Sequence, residues 1–447
     1  MTFPRMPPPD RFGPATAVGR FVLFSPVTAD LAWSSLGFHA AYRGLQPCES
    51  ATLCAEGPPR SAETHRRLSD FDCIFVSIAW ELELIALVQS LRACGIEPDR
   101  SRRPASDPLL VAGGPLTLSN PEALGGLCDA VFVGEADAWF SEIRSAVAEA
   151  TSRPDALERL SRLPGMFVPA IHGAESDAPA AVCASRDHLP AHSVKTGEPN
   201  VFGGAFLVEV GRGCPRGCTF CVVRCARRPA RFVGPAQVLS CIPADSTRIG
   251  LVGAAVSDHP RLLQILDALV SDGRRVTLSS VRADRVTDDL ASRLARGGLK
   301  TLTIAADGVS ESVRAALRKG IRAEHLIQAA VTARSSGIRG LRLYLMIGAP
   351  TETDEDILEG ARLVRDLAAI LPVTVSVSPL VPKRFTPLEH EPFAGVPVLR
   401  RRLAALRKAI GGAARVAAVS PRVAELEWRL SRARGPEVLR LMDLRTR

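Results

Sequence analysis

Three thiols stand within a few residues of one another in this chain: Cys214, Cys218 and Cys221, spaced Cys-x3-Cys-x2-Cys. Three thiolates at that spacing can hold one soft metal centre. Iron–sulfur clusters usually take four cysteines, so three on a four-iron cube leave one iron open for another ligand. Gly211, Gly213 and Gly217 flank the thiols, letting the backbone wrap closely and aim N–H groups at sulfur. Phe220 directly precedes the third cysteine, and Arg227, Arg228 and Arg231 follow. Cys225 extends the pattern by another x3-Cys, so a four-thiolate zinc or ferredoxin-type structural site competes with the open-cluster reading.

An apolar run over 205–210 leads into the thiols and reads as a strand. Residues 206–380 then alternate, with strands expected near 206–210, 247–252, 275–280, 301–305, 341–347 and 373–378 and helices between them. Six βα units in succession suit a partial or closed parallel barrel, whose reactive groups lie at strand carboxyl ends. Residues 16–150 alternate as well: strands at 21–24, 73–77, 109–112 and 130–133, with helices near 34–42, 81–94 and 138–150. This predicts a doubly wound, Rossmann-like sheet with ligands beyond the carboxyl ends, which here carry Ser77, Gly113, Gly114 and Gly134. The expected layout is a loose tail (1–15), this first domain (16–150), a proline-punctuated connector (151–204), the barrel (205–380) and a small α/β extension (381–447).

The 447 residues are 46% hydrophobic, enough for sizeable cores, and carry a net charge of +9, mostly from arginine. No dense basic run is interleaved with aromatics, so nucleic acid is not the expected partner. No apolar run reaches the length of a membrane span, and no secretory leader is visible. With 11 cysteines, an odd and scattered set, the thiols are expected to be reduced and the protein cytoplasmic. His172, His188 and His192 lack metal-ligand spacing and read as solvated loop residues; His39 reads as structural.

The cysteine stretch, Val208 to Arg231, resembles the radical S-adenosylmethionine (SAM) superfamily, including the aromatic residue before the third cysteine. That resemblance implies a [4Fe–4S] cluster on Cys214, Cys218 and Cys221 whose open iron chelates SAM, and reductive cleavage of the SAM C–S bond. It implies Phe220 beside the nucleoside, Asp258 toward the SAM ammonium, and Ser280 and Arg282 toward the substrate mouth. It further implies Asp307, with Ser310 and Arg314, at the ribose and Gly348 and Pro350 at the adenine. Asp307 is one methylene shorter than the family's acid, and Lys319-Gly320 continues the likeness. Asp258 also reads as a helix cap before His259-Pro260.

Residues 16–150 resemble the cobalamin-binding-type domain found ahead of some radical SAM domains. The Asp-x-His-x-x-Gly motif, which supplies a histidine to cobalt in many of those domains, does not occur here. Bound cobalamin, held through Ser77, Gly113, Gly114 and Gly134, would imply methyl transfer to an unactivated carbon. The other outcomes are cyclisation, rearrangement or thiolation without cobalamin, and a non-catalytic iron–sulfur or zinc protein. The resemblance further implies a small-molecule substrate and an electron donor such as flavodoxin or ferredoxin.

Overall fold

The computed structural model describes residues 20–194, 200–225 and 229–443. The expected tail at 1–15 and the arginines at 227 and 228 lie outside them. The chain forms two compact units, one of residues up to His188 together with Pro199–Val201 and the C-terminal stretch from Leu430, the other of the intervening residues.

The first unit is built on a six-stranded sheet. Its strands are β1 (Phe21–Thr28), β2 (Glu49–Leu53), β3 (Cys73–Ser77), β4 (Leu109–Gly113), β5 (Ala130–Phe132) and β6 (Met166–Phe167), in the order β2-β1-β3-β4-β5-β6. All neighbours are parallel except β5 and β6. The run 2-1-3-4-5 is a common doubly wound order, which reverses between β1 and β3. Phe21 to Phe24 and Cys73 to Val76 are buried on both faces, as parallel strands covered by helices require. β1 runs on past the expected Phe24 through Pro26; its register to β2 slips between Phe24 and Thr28, which accommodates a residue without an N–H. β2 is a strand that hydrophobic patterning misses, because Glu49 and Ser50 are polar yet buried. Thr64 and Arg66 donate to the Glu49 carboxylate at 2.5 Å each. The C-terminal segment belongs to this unit: Asn120 donates to the carbonyls of Leu430 and Ala433 at 3.0 Å each.

The second unit contains β7 (Phe206–Glu209), β8 (Gly211–Arg212), β9 (Arg231–Phe232), β10 (Arg248–Val252), β11 (Arg275–Leu278), β12 (Thr301–Gly308), β13 (Gly340–Ile347), β14 (Val373–Pro379) and β15 (Arg415–Ala418). They make a parallel sheet β11-β10-β7, a parallel sheet β12-β13-β14-β15, and the antiparallel ribbon β8-β9. A parallel bridge from Val281 to Ile304 joins the two larger sheets. The strand expected near Val416 is β15, added in parallel to β14. Helices such as Leu262–Ser271, Asp288–Arg296 and Asp354–Ile370 cover one face, and one continuous core fills the space between. Thr287 and Thr353 cap the second and third of these, accepting from Leu290 N and Asp356 N. Among the described residues no helix is long and apolar enough to cross a membrane.

Candidate active site

The cysteine loop leaves the end of β7 and is tied at its neck. Glu209, at the end of β7, is buried and forms a bidentate pair with Arg212, at 2.7 and 2.8 Å. Pairing of Arg212 with Arg231 and of Gly211 with Phe232 then closes the loop on itself. Gly213 takes φ +81°, and a side chain there would lie 2.9 Å from the carbonyl oxygen of Pro229, so the neck requires glycine.

Three contacts fix the loop over the strand ends. Arg216, between the first two cysteines, makes a bidentate ion pair with Asp258, whose side chain is only 4% exposed; Arg285 donates to the same carboxylate at 3.1 Å. The Thr219 N–H donates to the Leu317 carbonyl at 3.1 Å. Phe220 packs against Val313, Leu317, Ala349 and Leu380, which follow β12, β13 and β14. The loop therefore draws on every large strand group of the unit.

The thiols share one electrostatic environment. Burial pushes Cys214 and Cys218 above the ordinary thiol range, and the charge of Cys221 pushes both further. Arg216 opposes the shift at Cys214, and Lys319 and Arg282 oppose it at Cys218. Arg216, Lys319 and Arg282 thus offset part of the negative charge that thiolates at Cys214 and Cys218 would bring. Among the described residues no three Cys, His, Asp or Glu side chains converge on a point where a single metal ion would sit. The backbone of Cys225 is in the short helix Val222–Cys225; its side chain lies outside the described set.

Asp307 and Lys319 complete the site. Strand β12 slips register between Ala305 and Asp307, and Asp307 takes φ +66°, a left-handed conformation that aspartate tolerates better than most residues. The bulge turns its carboxylate onto Lys319, at 2.5 Å. Both residues act on Cys218, which places them beside the loop.

Several residues expected to meet a ligand are committed to the protein instead. Asp258 is saturated by Arg216 and Arg285. Arg314 is fully buried, with Nε on the Ile321 carbonyl at 2.8 Å and Nη1 on those of Gly308 and Val309 at 3.2 and 3.4 Å. Ser310 is also fully buried, capping the helix Glu311–Ala316 and donating to Asp356 at 2.6 Å. Arg282 grips Asp284 at 2.9 and 3.1 Å and donates to the Lys319 carbonyl at 2.9 Å, so it braces Lys319 rather than facing an open mouth. Gly348 is buried at φ +89°, where a side chain would strike Leu399 at 2.7 Å. Its N–H is held by Glu352 at 2.8 Å, which in turn pairs with Arg402 at 2.9 Å. Pro350 is exposed and Ser280 is half-buried. Sequence reasoning missed Arg216; its signal was a lone arginine between two metal-type cysteines.

In the first unit the strand ends are more occupied. The Ser77 carbonyl accepts from Ser25 Oγ at 3.3 Å, and the Gly113 carbonyl from Ile78 N at 3.0 Å. A side chain on Gly114, at φ +109°, would lie 2.3 Å from the Ile78 carbonyl oxygen. Gly134 forms a bridge with Val182. His39 is buried with Nε2 3.0 Å from the Trp33 carbonyl, a structural role as its sequence position suggested.

Residues 208–364 match the family model described as the radical SAM superfamily, and residues 42–169 match that of radical SAM proteins, N-terminal. An uncharacterized protein of Methanocaldococcus jannaschii is 29% identical over 340 residues, covering 74% of this chain and 71% of its own. A threonylcarbamoyladenosine tRNA methylthiotransferase of Bacillus subtilis is 24% identical over 36% of this chain and 39% of its own. Among solved structures, the cobalamin-dependent S-adenosylmethionine radical enzyme OxsB with aqua-cobalamin and S-adenosylmethionine bound superposes at a TM-score of 0.52 and 15% identity, over 78% of this chain. The chain spans about half (52%) of that structure's length, and at this identity the likeness is one of fold. Both matches are to models of radical SAM proteins, so residues 208–364, which include the cysteine loop and most of the strands that hold it, form a radical SAM domain and residues 42–169 match the N-terminal domain of that group.

Proposed function

We propose that the chain is a radical SAM enzyme in which Cys214, Cys218 and Cys221 hold a [4Fe–4S] cluster. The observation that carries this reading is the Cys-x3-Cys-x2-Cys spacing of three thiols on a loop clamped over the carboxyl ends of a parallel sheet. The donor set fits: thiolates suit iron, and Arg216, Lys319 and Arg282 offset the charge that cluster binding concentrates there. When bound, the cluster and SAM supply one-electron cleavage of the sulfonium C–S bond. The chain's own residues position and shield. Phe220 gives an apolar wall beside the loop, and the Asp307 carboxylate, oriented by Lys319, takes the ribose hydroxyls. Asp258, Ser310, Arg314 and Gly348 hold the loops in place and Arg282 braces Lys319. Electrons come from a donor such as flavodoxin or ferredoxin. Anaerobic reconstitution with iron and sulfide, followed by dithionite and SAM, tests the reading. About four irons per chain and release of 5′-deoxyadenosine are expected; a metal-loaded protein that leaves SAM intact contradicts it.

A finer reading is cobalamin-dependent methyl transfer to an unactivated carbon. It is supported by the 2-1-3-4-5 sheet order of the first unit and by the fold likeness to cobalamin-dependent OxsB. The cradle would be the switch-point edge, with Ser77 and Gly113 at its rim and Trp80 exposed beside them. His39 is tied to Trp33, so cobalt takes no ligand from it. Reconstitution with hydroxocobalamin and desalting decides: near-stoichiometric cobalt supports methyl transfer, and none removes it while leaving the radical SAM reading intact. Thiolation gains less support, because of the five N-terminal cysteines that could hold a second cluster, Cys48, Cys73, Cys94 and Cys128 are buried, their thiols pushed up by burial, and Cys54 is the exposed one.

A further inference from the structure

The helix-free face of β12–β15 carries a row of side chains that fold maintenance does not explain. Along β13, Leu341, Leu343, Leu345 and Ile347 are 0–2% exposed and face the core, while Arg342 and Tyr344 point the other way and are exposed. Register places Thr303, Arg342, Thr374 and Arg415 side by side across β12, β13, β14 and β15. The next row is Ala305, Tyr344, Ser376 and Ala417. Neighbouring strands lie about 4.8 Å apart, so Arg342 and Arg415 flank the short Thr374 at a backbone separation of about 10 Å. Two guanidinium forks at that spacing reach one anion between them.

Charge on this face is unbalanced. Its single acid on β12–β15 is Asp307, which Lys319 already neutralises. Among the described residues neither Arg342 nor Arg415 has a carboxylate partner. An arginine on an inner strand, flanked by Thr303 and Thr374 rather than by acids, is the opposite of how sheets pair their charges. The row lies four residues, about 13 Å, before Met346 and the strand ends where the thiols stand. Tyr344, 38% exposed between the small residues Ala305 and Ser376, offers a flat surface on the way.

Resting on the radical SAM reading, we propose that Arg342 and Arg415 form an anion-binding row, and that the substrate is an extended molecule carrying a phosphate or carboxylate at the end remote from its reacting carbon. The test is titration calorimetry of the full chain at low ionic strength, with inorganic pyrophosphate as the phosphate probe and citrate as the carboxylate probe. Binding of at least one is expected, weakened about tenfold or more by Arg342→Gln and by Arg415→Gln, and weakened by added salt. Arg407→Gln, on the exposed face of the helix Val396–Ile410, serves as control and is expected to bind like the parent. Melting curves verify that each variant is folded. Preference between the probes identifies which anion the row takes. Failure of both probes to bind, equal binding by the row variants, or an equal loss in the control overturns the proposal. Because the measurement needs no cluster and no turnover, such a failure leaves the radical SAM reading standing.

Discussion

Both units are built on mainly parallel α/β sheets, yet the carboxyl ends of their strands are filled differently. In the second unit the strand ends carry Arg216, Asp258, Lys319 and Asp307, paired with one another around three thiols. In the first, the equivalent positions are glycines filled by the chain itself: the Ile78 backbone against Gly114, and Val182 beside Gly134. A shared architecture thus fixes where a site can stand, while the side chains that follow each strand decide what chemistry it has.

The sharpest way to break that contrast is at the thiols. Replacing any one of Cys214, Cys218 or Cys221 with alanine is expected to cut iron retention at least about tenfold after anaerobic reconstitution. Cys73→Ala in the first unit should retain the parent's iron content and lose only fold stability. Equal iron loss in both would mean that the contrast is false.

The next effect tests the clamp. Asp258→Asn removes the charge that holds the partly exposed Arg216 and Arg285, at a cost of about 1–3 kcal/mol for lost charged hydrogen bonds. Iron should then be stripped by a chelator several-fold faster, with the cluster's absorption otherwise formed. A variant with lower melting temperature and unchanged stripping rate would reduce Asp258 to a purely structural role.

Glycine substitutions sharpen the other side. Gly114→Ala places a methyl 2.3 Å from the Ile78 carbonyl oxygen at a positive φ, and is expected to cost about 2 kcal/mol or more. At Gly113 the nearest atom is the Phe132 carbonyl oxygen at 3.9 Å, so alanine there should cost less than about 1 kcal/mol. Denaturant unfolding distinguishes them; similar losses would contradict a strand end filled at one glycine and open at the next.

The smallest effect is one of pH. Asp356 is partly buried, which raises its pKa, but hydrogen bonds from Ser310, Ser312 and Thr353 outweigh this and hold it at about 2, below the ordinary 3.8. Its folded value is depressed, so its contribution is full above about pH 4 and is lost as pH falls toward 2. Asp356→Asn should abolish that portion of the acid sensitivity, about 2 kcal/mol at most, as read from urea midpoints between pH 5 and 2.

Much of this was readable beforehand, and the misses have physical causes. Apolar runs marked β3, β4, β7, β10 and β13 because parallel strands bury both faces or one strict face. The strand β2 was invisible, since Glu49 and Ser50 are buried through hydrogen bonds rather than through hydrophobicity. At the site, cysteine spacing pointed directly to chemistry. The arginines and aspartates did not reveal their roles, because a motif position tells what residue stands there and not which partner consumes its charge. Arg314 and Asp258 stand at positions that the resemblance assigns to SAM, but the fold spends one on backbone carbonyls and the other on two guanidiniums. Arg342 and Arg415 are separated by 73 positions and meet only through strand register, which no local pattern encodes.

The central claim concerns an iron that the protein leaves open. Electron paramagnetic resonance of the anaerobically reconstituted, dithionite-reduced chain, recorded with and without SAM, tests it directly. A reduced [4Fe–4S] signal whose g-values shift on adding SAM is the expected result. A signal indifferent to SAM, abolished by Cys225→Ala as well as by loss of the other three cysteines, would instead establish a closed four-thiolate site and contradict the account.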